Sequence, residues 1–156
     1  MGLDQIDSSI LTALQNNARM SNKELAAAVG LSPSACLERV RRLQREDVLI
    51  GFHAELNPAV LGIGLQAFVS VRLSHHSREV VDAFRAHIVT LPEVCAVYHI
   101  AGESDFLVHV AVRDAEHLRN LTLDGFTTRT EVARLTTALI YEHVTQHQLP
   151  NYAIEE

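Results

Sequence analysis

The chain has 156 residues, 47% of them hydrophobic, and sets 13 Lys and Arg against 19 Asp and Glu for a net charge of −6. That is ample apolar content for a folded core in one domain or two small ones. Only Cys36 and Cys95 are present and both sit among apolar neighbours, which excludes a disulfide or metal framework and reads as two buried thiols.

Asp4 is placed to cap a first helix whose Ile6, Ile10, Leu11 and Leu14 keep helical spacing to about Asn17, forming a support for the next two helices. Ser21 and Glu24 make a capping box, so a second helix should begin at Asn22, bury Leu25, Ala26 and Val29, and stop at Gly30. Ser32 followed by Pro33 starts a third helix after only a short turn. Two short helices joined this tightly predict a helix-turn-helix.

The third helix suggests what the pair is for. Cys36, Val40 and Leu43 form an apolar stripe, while Ser34, Glu38, Arg41, Arg42 and Arg45 fall on the opposite side. Small polar residues followed by arginines suit a helix entering the major groove, its early residues reaching base edges and its later ones phosphates. A surface helix with solvated arginines is the bland alternative, and the capped helix and tight turn upstream weigh against it. The DNA interface expected from this reading comprises Ser21, Asn22, Lys23, Ser32, Ser34, Ala35, Glu38, Arg39, Arg41 and Arg42, with Arg42 on a phosphate.

Charge distribution reconciles DNA binding with an acidic chain. Residues 1–46 hold six basic and five acidic side chains, whereas residues 47–156 hold seven and fourteen. The modest positive charge of the first part predicts weak non-specific affinity per subunit, so assembly into oligomers should compensate. No uninterrupted apolar run approaches the roughly 20 residues of a membrane span, and the start of the chain is polar. A soluble, cytoplasmic, nucleoid-associated protein with no membrane partner is expected.

After Asp47, the alternation of residues 48–56 reads as an extended strand that Asn57 and Pro58 break, making residues 48–62 a connector. Strands are then predicted over 65–73, 94–101, 106–112 and 132–144, with helices over 77–91 and 115–123. The order βαββαβ is the ferredoxin-like split arrangement, four antiparallel strands carrying both helices on one face. Its other face retains apolar residues, which predicts burial by another subunit. The fold class is therefore α+β: a winged-type three-helix domain over 1–47, a strand-bearing hinge over 48–62, and a second domain over 63–156.

The segments at residues 3–7, 14–19, 24–26, 29–34 and 39–43, Leu61 and Gly62, the run Gly102-Glu103-Ser104-Asp105-Phe106 and residues 132–137 resemble the bacterial and archaeal Lrp/AsnC, or feast/famine, transcriptional regulators. The resemblance spans roughly residues 3–145. It implies a DNA-binding domain hinged to an amino-acid-responsive, RAM/ACT-like oligomerisation domain. It further implies a homodimer assembling into tetramers or octamers on imperfectly palindromic double-stranded DNA, with a small effector, usually an amino acid, between dimers.

An α-amino acid needs donors for its carboxylate and an acceptor for its ammonium, and a Gly-x-x-Asp hairpin can supply both. The resemblance assigns this role to Ala101, Gly102, Ser104 and Asp105, with Thr136 and Thr137 opposite. The alternative is that Gly102 and Asp105 simply shape a turn and Glu103 is a solvated charge. Two departures from the family pattern stand out. Asp47 occupies a position where glycine is common after the third helix. Leu135 and Ala138 replace residues that are often polar or larger, leaving the effector's identity open.

An enzyme is the opposing class. His143 and His147 lie four apart on a strand and tail without an evident third ligand, His75 and His76 form a loop pair, and His99 and His109 lie on strands. No nucleophile elbow, P-loop or Cys-x-x-Cys is present. No catalytic residue, metal or cofactor is expected. The nearer alternative is an architectural protein that binds DNA without an effector.

Overall fold

The computed structural model describes residues 2–153. They group into two units, one of residues up to Glu55 together with those from Val144 onward, the other of Leu56–His143.

The first unit contains α1 (Gln5–Asn16), α2 (Asn22–Ala28) and α3 (Pro33–Arg45). Each helix begins on the side-chain cap its sequence announces: an Asp4–Asp7 capping box, a Ser21–Glu24 capping box, and Ser32 ahead of Pro33. Gly30 takes a φ of 69° and turns the chain from α2 toward α3. Ile10, Leu14, Leu25, Ala26, Cys36 and Leu43 form the buried core. The helical stripes seen in sequence thus converge on one another, and burial raises the Cys36 thiol pKa.

Asp47 is the one non-glycine residue with positive φ among those described, at 54°. The left-handed turn lets the Val48 and Leu49 amides both donate to the Leu43 carbonyl, at 2.9 and 3.0 Å. Aspartate therefore performs the turn that glycine performs in the family pattern.

The strand expected over 48–56 does not form. Residues 50–57 carry no strand assignment and are exposed. Alternation makes a segment competent for pairing, but a strand also needs a neighbouring edge, and this chain offers it none among the described residues. The residues from Val144 also depart from the expected 63–156 domain. Leu149 N donates to Gln15 Oε1 at 2.7 Å, Gln148 Nε2 to Asn16 Oδ1 at 2.8 Å, and Asn151 Nδ2 to Ser8 Oγ at 2.8 Å.

The second unit opens with a short 3-10 turn, Pro58–Leu61, and continues with β1 (Leu65–Leu73), α4 (Arg78–Ile88), β2 (Val94–His99), β3 (Phe106–Val112), α5 (Ala115–Leu121) and β4 (Val132–Leu139). α5 winds on through a π-helical stretch, Thr122–Thr127. The antiparallel sheet has the order β2-β3-β1-β4, the split βαββαβ topology. β1 is central because its alternate residues Ala67, Val69, Val71 and Leu73 are all buried. They pack with Phe106, Val108, Val110 and Val112 of β3 and with Phe84, Ile88, Leu118 and Leu121 of the helices.

β4 stops five residues short of its expected end. Leu139 pairs with Ala67 near the start of β1, and after Ile140 N donates to Gln66 O the central strand is used up. Cys95 is exposed, not buried, because the β2–β3 register shifts between Val94 and Ala96 and the intervening residue leaves the alternation.

Asp47 still carries a Cβ in a conformation that disfavours one. Asp47→Gly is expected to raise stability by about 0.5–1 kcal/mol, read as a higher denaturant midpoint at unchanged slope.

Candidate nucleic-acid interface and effector pocket

The turn between α2 and α3 is fastened by short polar contacts. Asn22 Nδ2 donates to Pro33 O at 2.8 Å, binding the start of α2 to the start of α3. Ser32 Oγ accepts from Ala35 N at 3.3 Å and lies 3.2 Å from Ser34 Oγ. Ser21, Ser32 and Asn22 thus build the motif. Lys23, Ser34, Ala35, Glu38 and Arg41 are exposed around it. Arg45 and Glu38 form a 3.2 Å pair with both side chains more than 60% exposed, too solvated to hold either firmly.

Arg39 and Arg42 do not point outward as a phosphate-binding row. Arg42 Nη2 lies 2.6 Å from both carboxylate oxygens of Asp7, and Arg39 Nη1 lies 2.9 Å from Asp7 Oδ1 and 2.6 Å from Asp4 Oδ2. Asp7 is 1% exposed, and the Arg39 and Arg42 side chains are 29% and 23% exposed. The expected phosphate contact of Arg42 competes with this arrangement, since Nη2 is held by Asp7 of α1 and Nη1 lies 3.7 Å from Glu46. The wheel places residues around α3 but does not say that α1 carries a carboxylate toward it. A signal was nonetheless present, since Asp7, Ile10 and Leu14 share one helical face, and a carboxylate on an apolar face calls for a cation.

In the second unit, the β2–β3 hairpin turns through Gly102 at φ 147°, a value suited to glycine. Ile100 N donates to Asp105 O and Asp105 N to Val71 O, both at 2.9 Å. The Asp105 side chain turns back to β1: Oδ2 accepts from Leu73 N at 2.7 Å and Oδ1 lies 3.0 Å from His76 Nδ1. Those contacts give Asp105 a visible task in fastening the hairpin to the sheet.

Ser104 and Thr136 come together. They line a cavity of about 150 Å³ with Ser70, Arg72, Glu103 and Arg134. Thr137 belongs to the opposite face, since it pairs with buried Val69 while Thr136 pairs with Ser70. Ala101, Gly102 and Asp105 do not line this cavity. Sequence reading missed Arg72 and Arg134, whose nearness depends on β1 and β4 being neighbours. The histidines form scattered pairs, His109 with Gln66, His117 with Glu93 and His147 with Glu55. No group of three or more metal-ligating side chains is found among the described residues.

A capped helix-turn-helix and, in a separate unit of the chain, an α+β sheet with a polar cavity are the parts expected of a DNA-binding protein with an attached regulatory domain. Comparisons with known proteins make this specific. An AsnC-type helix-turn-helix domain matches residues 3–44, and an Lrp/AsnC ligand binding domain matches residues 66–150. The transcriptional regulator AldR of Mycolicibacterium smegmatis is 46% identical over 142 residues, 91% of this chain and 83% of that protein. The leucine-responsive regulatory protein of Salmonella typhimurium is 38% identical over 144 residues, 92% and 88% of the two chains. A Neisseria meningitidis regulator solved as its L-Met complex superposes with a TM-score of 0.84 at 30% identity, covering 92% of this chain and 93% of that one. The chain belongs to the Lrp/AsnC family of transcriptional regulators, which are DNA-binding proteins with a small-molecule domain and not enzymes. No helix among the described residues is long and apolar enough to cross a membrane.

Burial opposes ionisation of Asp7, but hydrogen bonds from Arg42, the Asp4 amide and Arg39 outweigh it and hold the carboxyl below its ordinary 3.8. Asp4 is lowered as well, chiefly by Arg39. A depressed folded-state pKa contributes stability in full above the unfolded value and loses it as pH falls through the folded one. Asp7→Asn is expected to cost about 2 kcal/mol at pH 7 and clearly less at pH 3, measured by denaturant melts of both proteins at both pH values.

Proposed function

We propose that the protein is a homodimeric, cytoplasmic regulator that binds imperfectly palindromic DNA and changes its assembly or its placement on DNA when an amino acid binds. The observation that carries the DNA half is the exposed face of α3, where Ser34, Ala35, Glu38 and Arg41 lie outside the ion pairs that tie Arg39 and Arg42 to α1. In this reading Ser34, Ala35 and Glu38 meet base edges, Lys23 and Arg41 meet phosphates, and Ser21, Ser32 and Asn22 keep the two helices in register. Arg39 and Arg42 serve recognition by orienting α3. Half-sites follow two-fold symmetry, about 34–36 Å or a multiple apart.

Dimerisation is supported by the sheet face away from α4 and α5. Phe68 and Leu107 lie there half-buried, and Tyr98 is 51% exposed. His109 lies on the same face with its ring 5.4 Å from Phe68, and burial and then nearby His143 lower its pKa. Octamers or tetramers extend the same argument, since pairs of dimers multiply the weak phosphate attraction of each subunit. The amino-acid response is supported by the family's ligand-binding domain and by the two relatives whose names carry leucine and L-Met. An effector acts only through a difference in its affinity for two arrangements of the assembly.

The test is binding of the purified chain to its own upstream DNA at fixed salt, titrated with each of the twenty amino acids. One or more is expected to shift the midpoint or the banding pattern. Glu38→Ala is expected to change base preference within a half-site. DNA binding indifferent to every amino acid would make the protein an architectural one, and absence of DNA binding would overturn the proposal.

A further inference from the structure

Arg72 of β1 and Arg134 of β4 are direct cross-strand partners on the sheet face opposite the helices, with Ser70 and Thr136 paired one step along on the same face. Directly opposed residues bring their Cβ atoms to roughly 4.5–5.5 Å, and like charges so placed repel. A bulge comes at once, where the register shifts between Arg72 and Leu73. Arg72 Nη1 donates to Glu103 O at 2.6 Å, which leans that guanidinium over the hairpin. Within the single subunit, and among the described residues, Arg134 has no ion pair or hydrogen bond, and neither have the hydroxyls of Ser70, Ser104 and Thr136, which lie on the face proposed for dimerisation. These side chains and Glu103 line the 150 Å³ cavity, and no apolar side chain does.

We infer that this cavity is a carboxylate-binding pocket for a dicarboxylic α-amino acid, the aspartate or glutamate class. The inference rests on the proposed effector response and names its ligand class. Charge balance decides the class. An amino-acid zwitterion places one carboxylate on an arginine and its ammonium on Glu103, leaving the second arginine unbalanced. A second carboxylate closes the balance, with planar guanidinium forks matched to both carboxylates. The three hydroxyls supply further donors. An apolar ligand side chain would lie against guanidinium and hydroxyl groups, giving up their hydration without apolar contact in return. The repelling pair is stabilised when the anion is bound.

Calorimetric titration of the full chain with L-aspartate, L-glutamate, L-leucine, L-methionine and succinate tests this, with thermal melts as the check on folding. L-aspartate or L-glutamate is expected to bind more tightly than L-leucine and L-methionine. Arg134→Gln is expected to weaken that binding about tenfold or more while slightly raising the melting temperature of the ligand-free protein, since it relieves the repulsion. Glu103→Gln is expected to weaken L-aspartate but not succinate, which has no ammonium. Binding of an apolar amino acid that Arg134→Gln leaves unchanged would overturn the ligand class alone. Failure of every amino acid to bind would overturn it together with the effector response.

Discussion

Asp7 is the hinge of the DNA-binding unit. An ionised carboxylate 1% exposed to solvent is tolerable only when cations and donors surround it, and Asp7 draws them from two helices. Its own helix contributes the Asp4 amide, and α3 contributes Arg42 across both oxygens and Arg39 at one. The apolar core beneath permits sliding of one helix on another at modest cost, whereas a buried carboxylate held by two arginines of the facing helix limits that sliding. The α3 arginines therefore divide by direction. Arg39 and Arg42 bind the helix to its support, Arg41 is left on the exposed face, and Arg45 pairs loosely with Glu38.

The second unit depends on a different constraint, the central position of β1. Its buried alternate residues set which face meets the helices, and its pairing with both β3 and β4 gathers side chains from three distant stretches onto the other face. Arg72 and Arg134 are 62 positions apart by their numbering yet become nearest cross-strand neighbours. The hairpin is fastened to β1 beside them, because Leu73 N donates to the Asp105 carboxylate and Arg72 Nη1 to Glu103 O. A polar cavity beside the hairpin is thus a consequence of sheet order.

What was legible in the sequence was local. Capping boxes at Asp4 and Ser21, Pro33 after Ser32, and the helical spacing of apolar residues each act within a few positions, and the five α-helices formed where these signals stood. What was hidden depended on partners. Residues 48–56 alternate as a strand does but find no edge, and β4 ends where β1 runs out. Cys95 sits among apolar neighbours but leaves the alternation at a bulge. Thr136 and Thr137 look equivalent as adjacent hydroxyls, though the pleat sends them to opposite faces. The arginines on α3 read as one basic row until the carboxylates of α1 are placed beside two of them.

The central claim is that Arg39 and Arg42 hold α3 while Arg41 faces the DNA. Its most direct test is the salt dependence of operator affinity for the full chain, Arg41→Gln and Arg42→Gln, with the melting temperature of each. A lost phosphate contact lowers the slope of log K against log salt by about 0.9. The account predicts that loss for Arg41→Gln with an unchanged melting temperature, and a lowered melting temperature with an unchanged slope for Arg42→Gln. A reduced slope and unchanged melting temperature for Arg42→Gln would contradict it.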